Sequence, residues 1–237
     1  VQTPVIQGYK PDRTVVSDKN IGHDHQNIVE HVIYNPDAQH MTITYVDDTT
    51  HETLKQDKRD GTSDQDTKYT TGDSIKQYED QHYKLVSDST NGKDLIFDHD
   101  DKADQAYEVH FIHDTQKVNR KDTVTETIDY KFEDGKTAQP TVTQIENFSE
   151  DGTKDLVTGE TTWDEATSQT FEDVVTPKMT GYTPDKDKVK GSTVNFGNPD
   201  INVTVHYIAN DQTAKITYID DTTETKLDSK DASGKFG

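Results

Sequence analysis

The 237-residue chain contains no cysteine. Disulfide frameworks, cysteine-ligated zinc and thiol catalysis are excluded together. Basic residues are scarce: 25 Lys and Arg stand against 46 Asp and Glu, a formal net charge of −21. Nucleic acid and anionic lipid would meet long-range repulsion, so neither is expected as a partner. The charge suits solubility of an extended particle, with a cationic partner or bound divalent cations as the functional counterpart. No apolar run reaches the roughly 20 residues of a membrane-crossing helix, so membrane insertion is not expected. A signal peptide and a cell-wall sorting motif are likewise missing. Catalytic signatures are absent too: there is no Gly-X-Ser-X-Gly elbow, Gly-rich phosphate loop or His-Glu-X-X-His helix. Carboxylates are so common that no pair stands out as a glycosidase dyad. The chain reads as non-enzymatic.

Apolar residues are also few, at 28%, and mean hydropathy is −1.02. That composition alone would suit a disordered chain. Its arrangement argues for folding, because 11 Tyr, 7 Phe and many Val, Ile and Thr fall in short alternating runs. A small-cored, β-rich protein with highly solvated faces is the expected compromise.

The first 54 residues return at an offset of 173, without a gap. Val1-Gln2-Thr3-Pro4 and Gly8-Tyr9-Lys10-Pro11 reappear as Val174-Val175-Thr176-Pro177 and Gly181-Tyr182-Thr183-Pro184. Ile43-Thr44-Tyr45-Val46-Asp47-Asp48-Thr49-Thr50 reappears as Ile216-Thr217-Tyr218-Ile219-Asp220-Asp221-Thr222-Thr223. About 20 of the 54 positions are identical. A fixed period marks an array, and arrays serve reach and multivalency. Because the chain starts and stops inside repeats, it reads as a fragment.

Four segments follow. Residues 1–37 read as the tail of a preceding unit, ending in a strand over 28–34 that matches Ile201–Tyr207. Residues 38–117 form a small domain: a strand over 41–46, a second from 53–58 or 66–70, a helix over 74–81 capped by Asp73, and strands at 83–86 and 106–112. That order is the order of a β-grasp domain. Residues 118–209 read as almost all β, with a hairpin at Glu133–Lys136 and another centred on Asp151-Gly152. Residues 210–237 begin a further copy of the first domain, without most of its core.

The opening strand followed by Tyr45-Val46-Asp47-Asp48-Thr49-Thr50, the Gly181-Tyr182-Thr183-Pro184 corner and the closing Val205-His206-Tyr207 run carry a family resemblance. In these motifs, their order and their period, the chain resembles the large repeats of the mucus-binding proteins of gut lactic-acid bacteria. The resemblance covers the whole chain. It implies an α+β, β-rich architecture: an elongated tandem of a ubiquitin-like β-grasp domain and a mostly-β mucin-binding-type domain. It implies a repeat of a wall-anchored surface adhesin, outside the cell, whose partners are host mucin glycoproteins and, in some members, immunoglobulins. Neighbouring repeats of the same chain are further partners. A cysteine-free, acidic, Thr-rich repeat fits such a Gram-positive surface protein. No ligand-contact residue carries over from the family.

Candidate sites therefore rest on the residues alone. Trp163, the single tryptophan, lies in a polar stretch. It is either a stacking platform for sugar or the keystone of the second domain's core. Lys178, Lys186, Lys188 and Lys190 form a local basic cluster that could present a cationic face, or simply a solvated loop. Asp98, Asp100, Asp101 and Asp104 are the densest acidic loop. Oxygen ligands at alternate positions suit Ca²⁺, although the glycine and distal Glu of an EF-hand are missing. A solvated loop is the plainer reading, and no cofactor is otherwise expected. Asp47 and Asp48 read as turn caps, with a cation site as the alternative. His23 and His25 have transition-metal spacing, but their repeat counterparts Phe196 and Asn198 cannot share that role. Three functions remain: mucin-glycan binding by weak contacts multiplied along an array, protein binding through a β-grasp edge, and a structural stalk.

Overall fold

The computed structural model describes residues 1–17, 29–100, 102–165 and 167–237. Strands dominate, as the alternating pattern requires, and the described residues contain one helix. No helix among the described residues is long and apolar enough to cross a membrane. The chain divides into two compact units, residues 1–116 with 154–161 and residues 117–153 with 162–237.

The first unit contains β1 (Tyr9–Pro11), β2 (Tyr34–Pro36), β3 (Ala38–Asp47), β4 (Glu52–Thr62), α1 (Gly72–Glu79), β5 (Tyr83–Asp88) and β6 (Gln105–His113). Its main sheet has the order β4-β3-β6-β5. The central pair β3 and β6 is parallel, so a crossover must join them; α1 and β5 lie on that connection. Alternation places Met41, Ile43 and Tyr45 of β3 on the inner face with Val109 and Phe111 of β6, all at most 1% exposed. Leu95 and Phe97 close the core, and Ile75 and Tyr78 of α1 pack against it. Burying each large apolar side chain contributes roughly 1.5–3 kcal/mol, so these residues hold the unit together.

Several local expectations change. The helix begins at Gly72, not Ser74, with Thr71 at the N-cap position; Asp73 sits in the first turn, where its charge suits the helix dipole. The Thr71 hydroxyl bonds the Asp88 carboxylate instead of capping the helix. Residues 66–70 supply only the isolated bridge Asp66–Ile96, and the second strand is Glu52–Thr62. Of the strand expected over 28–34, only Tyr34 is in a strand among the described residues, because the short β1 pairs no further.

The second unit continues along β7 (Thr115–Phe132) and contains β8 (Thr137–Asp155), β9 (Thr161–Trp163), β10 (Gln169–Thr170), β11 (Val174–Val175), β12 (Tyr182–Pro184), β13 (Lys188–Val189), β14 (Thr193–Val194), β15 (Ile201–Ala209), β16 (Asp211–Ile219) and β17 (Lys226–Lys235). A five-stranded sheet runs β12-β15-β7-β8-β9, with β15 parallel to β7. One core cluster gathers Ile128, Tyr130, Val189, Val205 and Tyr207; another gathers Val124, Phe148, Phe171 and Val194. The hairpin at Glu133–Lys136 forms as expected. No hairpin forms at Asp151-Gly152: β8 runs through it and turns at Leu156–Thr158.

The 173-residue offset is visible in the bonds. Tyr9 pairs with Pro36 and Pro11 with Tyr34; Tyr182 pairs with Ala209 and Pro184 with Tyr207. The Tyr34 hydroxyl donates to the Pro4 carbonyl at 2.6 Å, and the Tyr207 hydroxyl donates to the Pro177 carbonyl. Gly8 and Gly181 both have φ near +80°. A side chain at Gly8 would meet Ser63 Oγ at 2.8 Å and His99 Cβ at 2.9 Å, so the corner requires glycine.

Candidate functional site

Trp163 is half-buried on β9. The Arg120 guanidinium lies over its ring, 4.3 Å from the centroid, and over the ring of Phe196 at 4.2 Å. The same guanidinium donates twice to Glu150 Oε2, at 2.8 and 2.5 Å. A Cβ at Gly152 would stand 2.7 Å from Trp163 Cε3. One face of the indole is thus occupied by the unit's own arginine, which favours the packing role over an open sugar platform.

The four lysines do not act alike. Lys186 Nζ donates to the Thr204 carbonyl at 2.7 Å and reaches Asp185 at 3.2 Å. Lys188 bonds Asp173, whose carboxylate also accepts the Gly191 amide at 2.8 Å. The Lys188 ammonium, that amide and the nearby Lys190 hold Asp173 below its ordinary pKa. Both Lys186 and Lys188 therefore serve the local loops. Lys178 is exposed and lines a groove of about 490 Å³ with Val175, Met179, Tyr182, Pro184 and Asp187, among others. Val175 is 74% exposed there. Apolar side chains, an aromatic edge, one cation and one carboxylate give the groove the mixed lining of a small-ligand surface.

In the acidic loop, Asp98 Oδ1 accepts the Asp100 amide at 3.0 Å and Asp100 Oδ1 accepts the Lys102 amide at 3.1 Å. These carboxylates cap their own backbone. Asp104 is exposed. Asp101, His23 and His25 lie outside the described residues. Among the described residues, no three acidic or histidine side chains converge in a metal-holding geometry.

Sequence reasoning singled out Asp47 and Asp48 but missed the histidines that join them. Asp47 caps the turn as expected, accepting the amides of Thr49 at 2.8 Å and Thr50 at 3.4 Å. Its Oδ2 is also 2.8 Å from His113 Nε2, while His113 Nδ1 is 2.5 Å from Asp155 Oδ2. His110 Nδ1 is 2.8 Å from Asp48 Oδ1. Burial works against charge on His113, but the carboxylates of Asp155 and Asp47 outweigh it and raise its pKa above the ordinary value. For Asp47 burial also works against the charge, and Thr50, Thr49 and His113 overcome it, lowering its pKa. His110 is raised chiefly by its bond to Asp48. The available signal was Asp47-Asp48 on one strand end and His110 and His113 on another, which only the parallel β3–β6 pairing brings together.

Known proteins place this architecture. Residues 39–113 match the model of the mucin binding domain, and residues 1–38 with 115–211 match that of the Muc B2-like domain. The first of these spans the segment expected to be β-grasp. The solved structure of Mub-RV is similar at 37% identity and TM-score 0.62, covering 73% of this chain and 99% of that one. The type 2 repeat of the mucus binding protein MUB from Lactobacillus reuteri is similar at 32% identity and TM-score 0.51, covering 73% of this chain and all of that one. No curated protein matches the chain. With one family model over more than half its length and a 37% identical relative covered almost end to end, the chain belongs to the family of mucus-binding-protein repeats.

Proposed function

We propose that this chain is a repeat unit of a bacterial surface adhesin that holds host mucin glycoproteins by weak contacts multiplied along an array. It works outside the cell, anchored to the wall through other parts of its parent protein, and it binds rather than catalyses. We read residues 38–117 as a ubiquitin-like β-grasp domain, supported by the β4-β3-β6-β5 order around one helix. Residues 118–209 are read as the mucin-binding-type partner domain, and 1–37 and 210–237 as parts of adjoining repeats. The observation that carries the function is the match of 39–113 to the mucin binding domain beside a 37% identical Mub repeat. The groove at Lys178, with Val175 and Tyr182, is the contact we assign to glycan.

Surface plasmon resonance of the chain on intact and enzymatically deglycosylated mucin, with and without Ca²⁺, tests this reading. Loss of signal on deglycosylation supports glycan recognition. A signal that survives deglycosylation overturns it. A second reading, binding of immunoglobulin or another protein, is favoured by the edge strand β5, where Leu85 and Val86 are 40% and 53% exposed. Immunoglobulin in the parallel channel checks that reading.

A further inference from the structure

In each unit the main sheet sets its first and last strands side by side and parallel. In the first unit these are β3 and β6, with Met41 facing Gln105 and Asp47 facing Phe111. In the second they are β7 and β15, with Glu126 facing Ile201 and Phe132 facing Tyr207. The parallel stretch is seven residues long on each strand in both units. The sheets are otherwise unlike, with four strands in one and five in the other.

This topology decides how a pull along the backbone is carried. Tension enters the first unit at the Ala38 end of β3 and leaves at the His113 end of β6. In a parallel pair those ends lie at opposite extremes, so the load slides one strand along the other. The hydrogen bonds between parallel strands are evenly spaced, and under sliding they bear the load together. An antiparallel pair pulled at its open end would instead peel bond by bond. The second unit is loaded in the same way, from the Thr115 end of β7 to the Ala209 end of β15.

We infer that bearing tension is a function of both units, with the β3–β6 and β7–β15 pairs acting as shear clamps in series along the chain. Resistance to forced unfolding depends on the unfolding barrier, and here the barrier is the concerted rupture of a strand pair. Side chains reinforce each clamp. Met41, Ile43 and Tyr45 of β3 and Val109 and Phe111 of β6 are at most 1% exposed, so water is kept from one face of the bonds. At the exit end of β6, His113 reaches Asp47 and His110 reaches Asp48, each at 2.8 Å, and both contacts tie β6 to the end of β3 and its turn. In the second unit Ile128 and Tyr130 of β7 and Val205 and Tyr207 of β15 are buried to the same degree. There the Asp200 carboxylate accepts the Thr125 amide at 2.8 Å, just ahead of the paired stretch. The clamps need no ligand, so their test is independent of mucin binding.

Single-molecule force spectroscopy of the whole chain, tethered at its two termini, is that test. Rupture of the first clamp frees residues 41–111, about 25 nm of extended chain, and rupture of the second frees residues 126–207, about 29 nm. We expect one high-force event of each length. Because the chain has no cysteine, an introduced pair gives unambiguous handles for a second pulling axis. His40→Cys with Asp104→Cys, both at exposed positions, applies the load to the same end of β3 and β6. Along that axis the strands peel, and the first unit should yield at a severalfold lower force than through the termini. Extension of the native chain without the two events, or equal rupture forces along both axes, overturns the inference.

Discussion

His113 lies between two carboxylates, 2.8 Å from Asp47 and 2.5 Å from Asp155, and is only 5% exposed. This links the end of β6 to the turn after β3 and to the segment 154–161 in the same unit. Removing one partner of a buried ion pair leaves the others uncompensated. His113→Ala is expected to destabilise the first unit by about 3 kcal/mol, measured by urea denaturation.

The same cluster fixes a pH dependence. The His113 pKa is raised from 6.5, so its contribution is fully present below about pH 6.5 and is lost as pH rises through the folded value. Asp47 and Asp155 are lowered from 3.8, so theirs is present above about pH 4 and lost as pH falls through their folded values. The stability difference between the native chain and His113→Ala should be flat between these limits and shrink towards alkaline pH. A difference that grows above pH 7 would contradict the assignment.

Gly152 sits in β8 against the indole of Trp163. Gly152→Ala places a methyl within 2.7 Å of Trp163 Cε3 and should destabilise the second unit by roughly 1–3 kcal/mol. Trp163, the single tryptophan, reports the change directly by fluorescence. An unshifted emission spectrum with native stability would refute the packing.

The tyrosine-to-proline-carbonyl bond appears twice, once from a fully buried tyrosine. Tyr207 is 0% exposed and its hydroxyl donates to Pro177, so Tyr207→Phe should cost about 1 kcal/mol. Tyr34→Phe removes the equivalent bond at a half-buried residue and should cost less. Equal effects would mean that burial does not govern this bond.

Much of this fold was legible in the sequence, for identifiable reasons. Alternation in Met41–Val46, Ala106–Ile112 and Ile201–Tyr207 marked strands with one inner face, and those faces are where the core lies. The 173-residue offset foretold paired corners, because the same side chains make the same bonds. Local signals failed where packing decides. Asp151-Gly152 looks like a turn, yet the glycine makes room for Trp163 in a continuous strand. The lysine cluster looked uniform, but Lys186 and Lys188 meet backbone and carboxylate acceptors that only folding brings near. The Asp47–His113 pair spans 66 positions and depends on parallel pairing that no short window contains.

The most direct test of the account is mucin binding by two exposed groove variants, Lys178→Glu and Val175→Asp, against Lys188→Glu as a neighbouring charge control. The account predicts that binding to intact mucin falls by roughly tenfold in each groove variant while their folding stability is unchanged. It predicts that Lys188→Glu, which breaks the Asp173 contact, lowers stability more than binding. Groove variants that bind mucin as tightly as the native chain would contradict it.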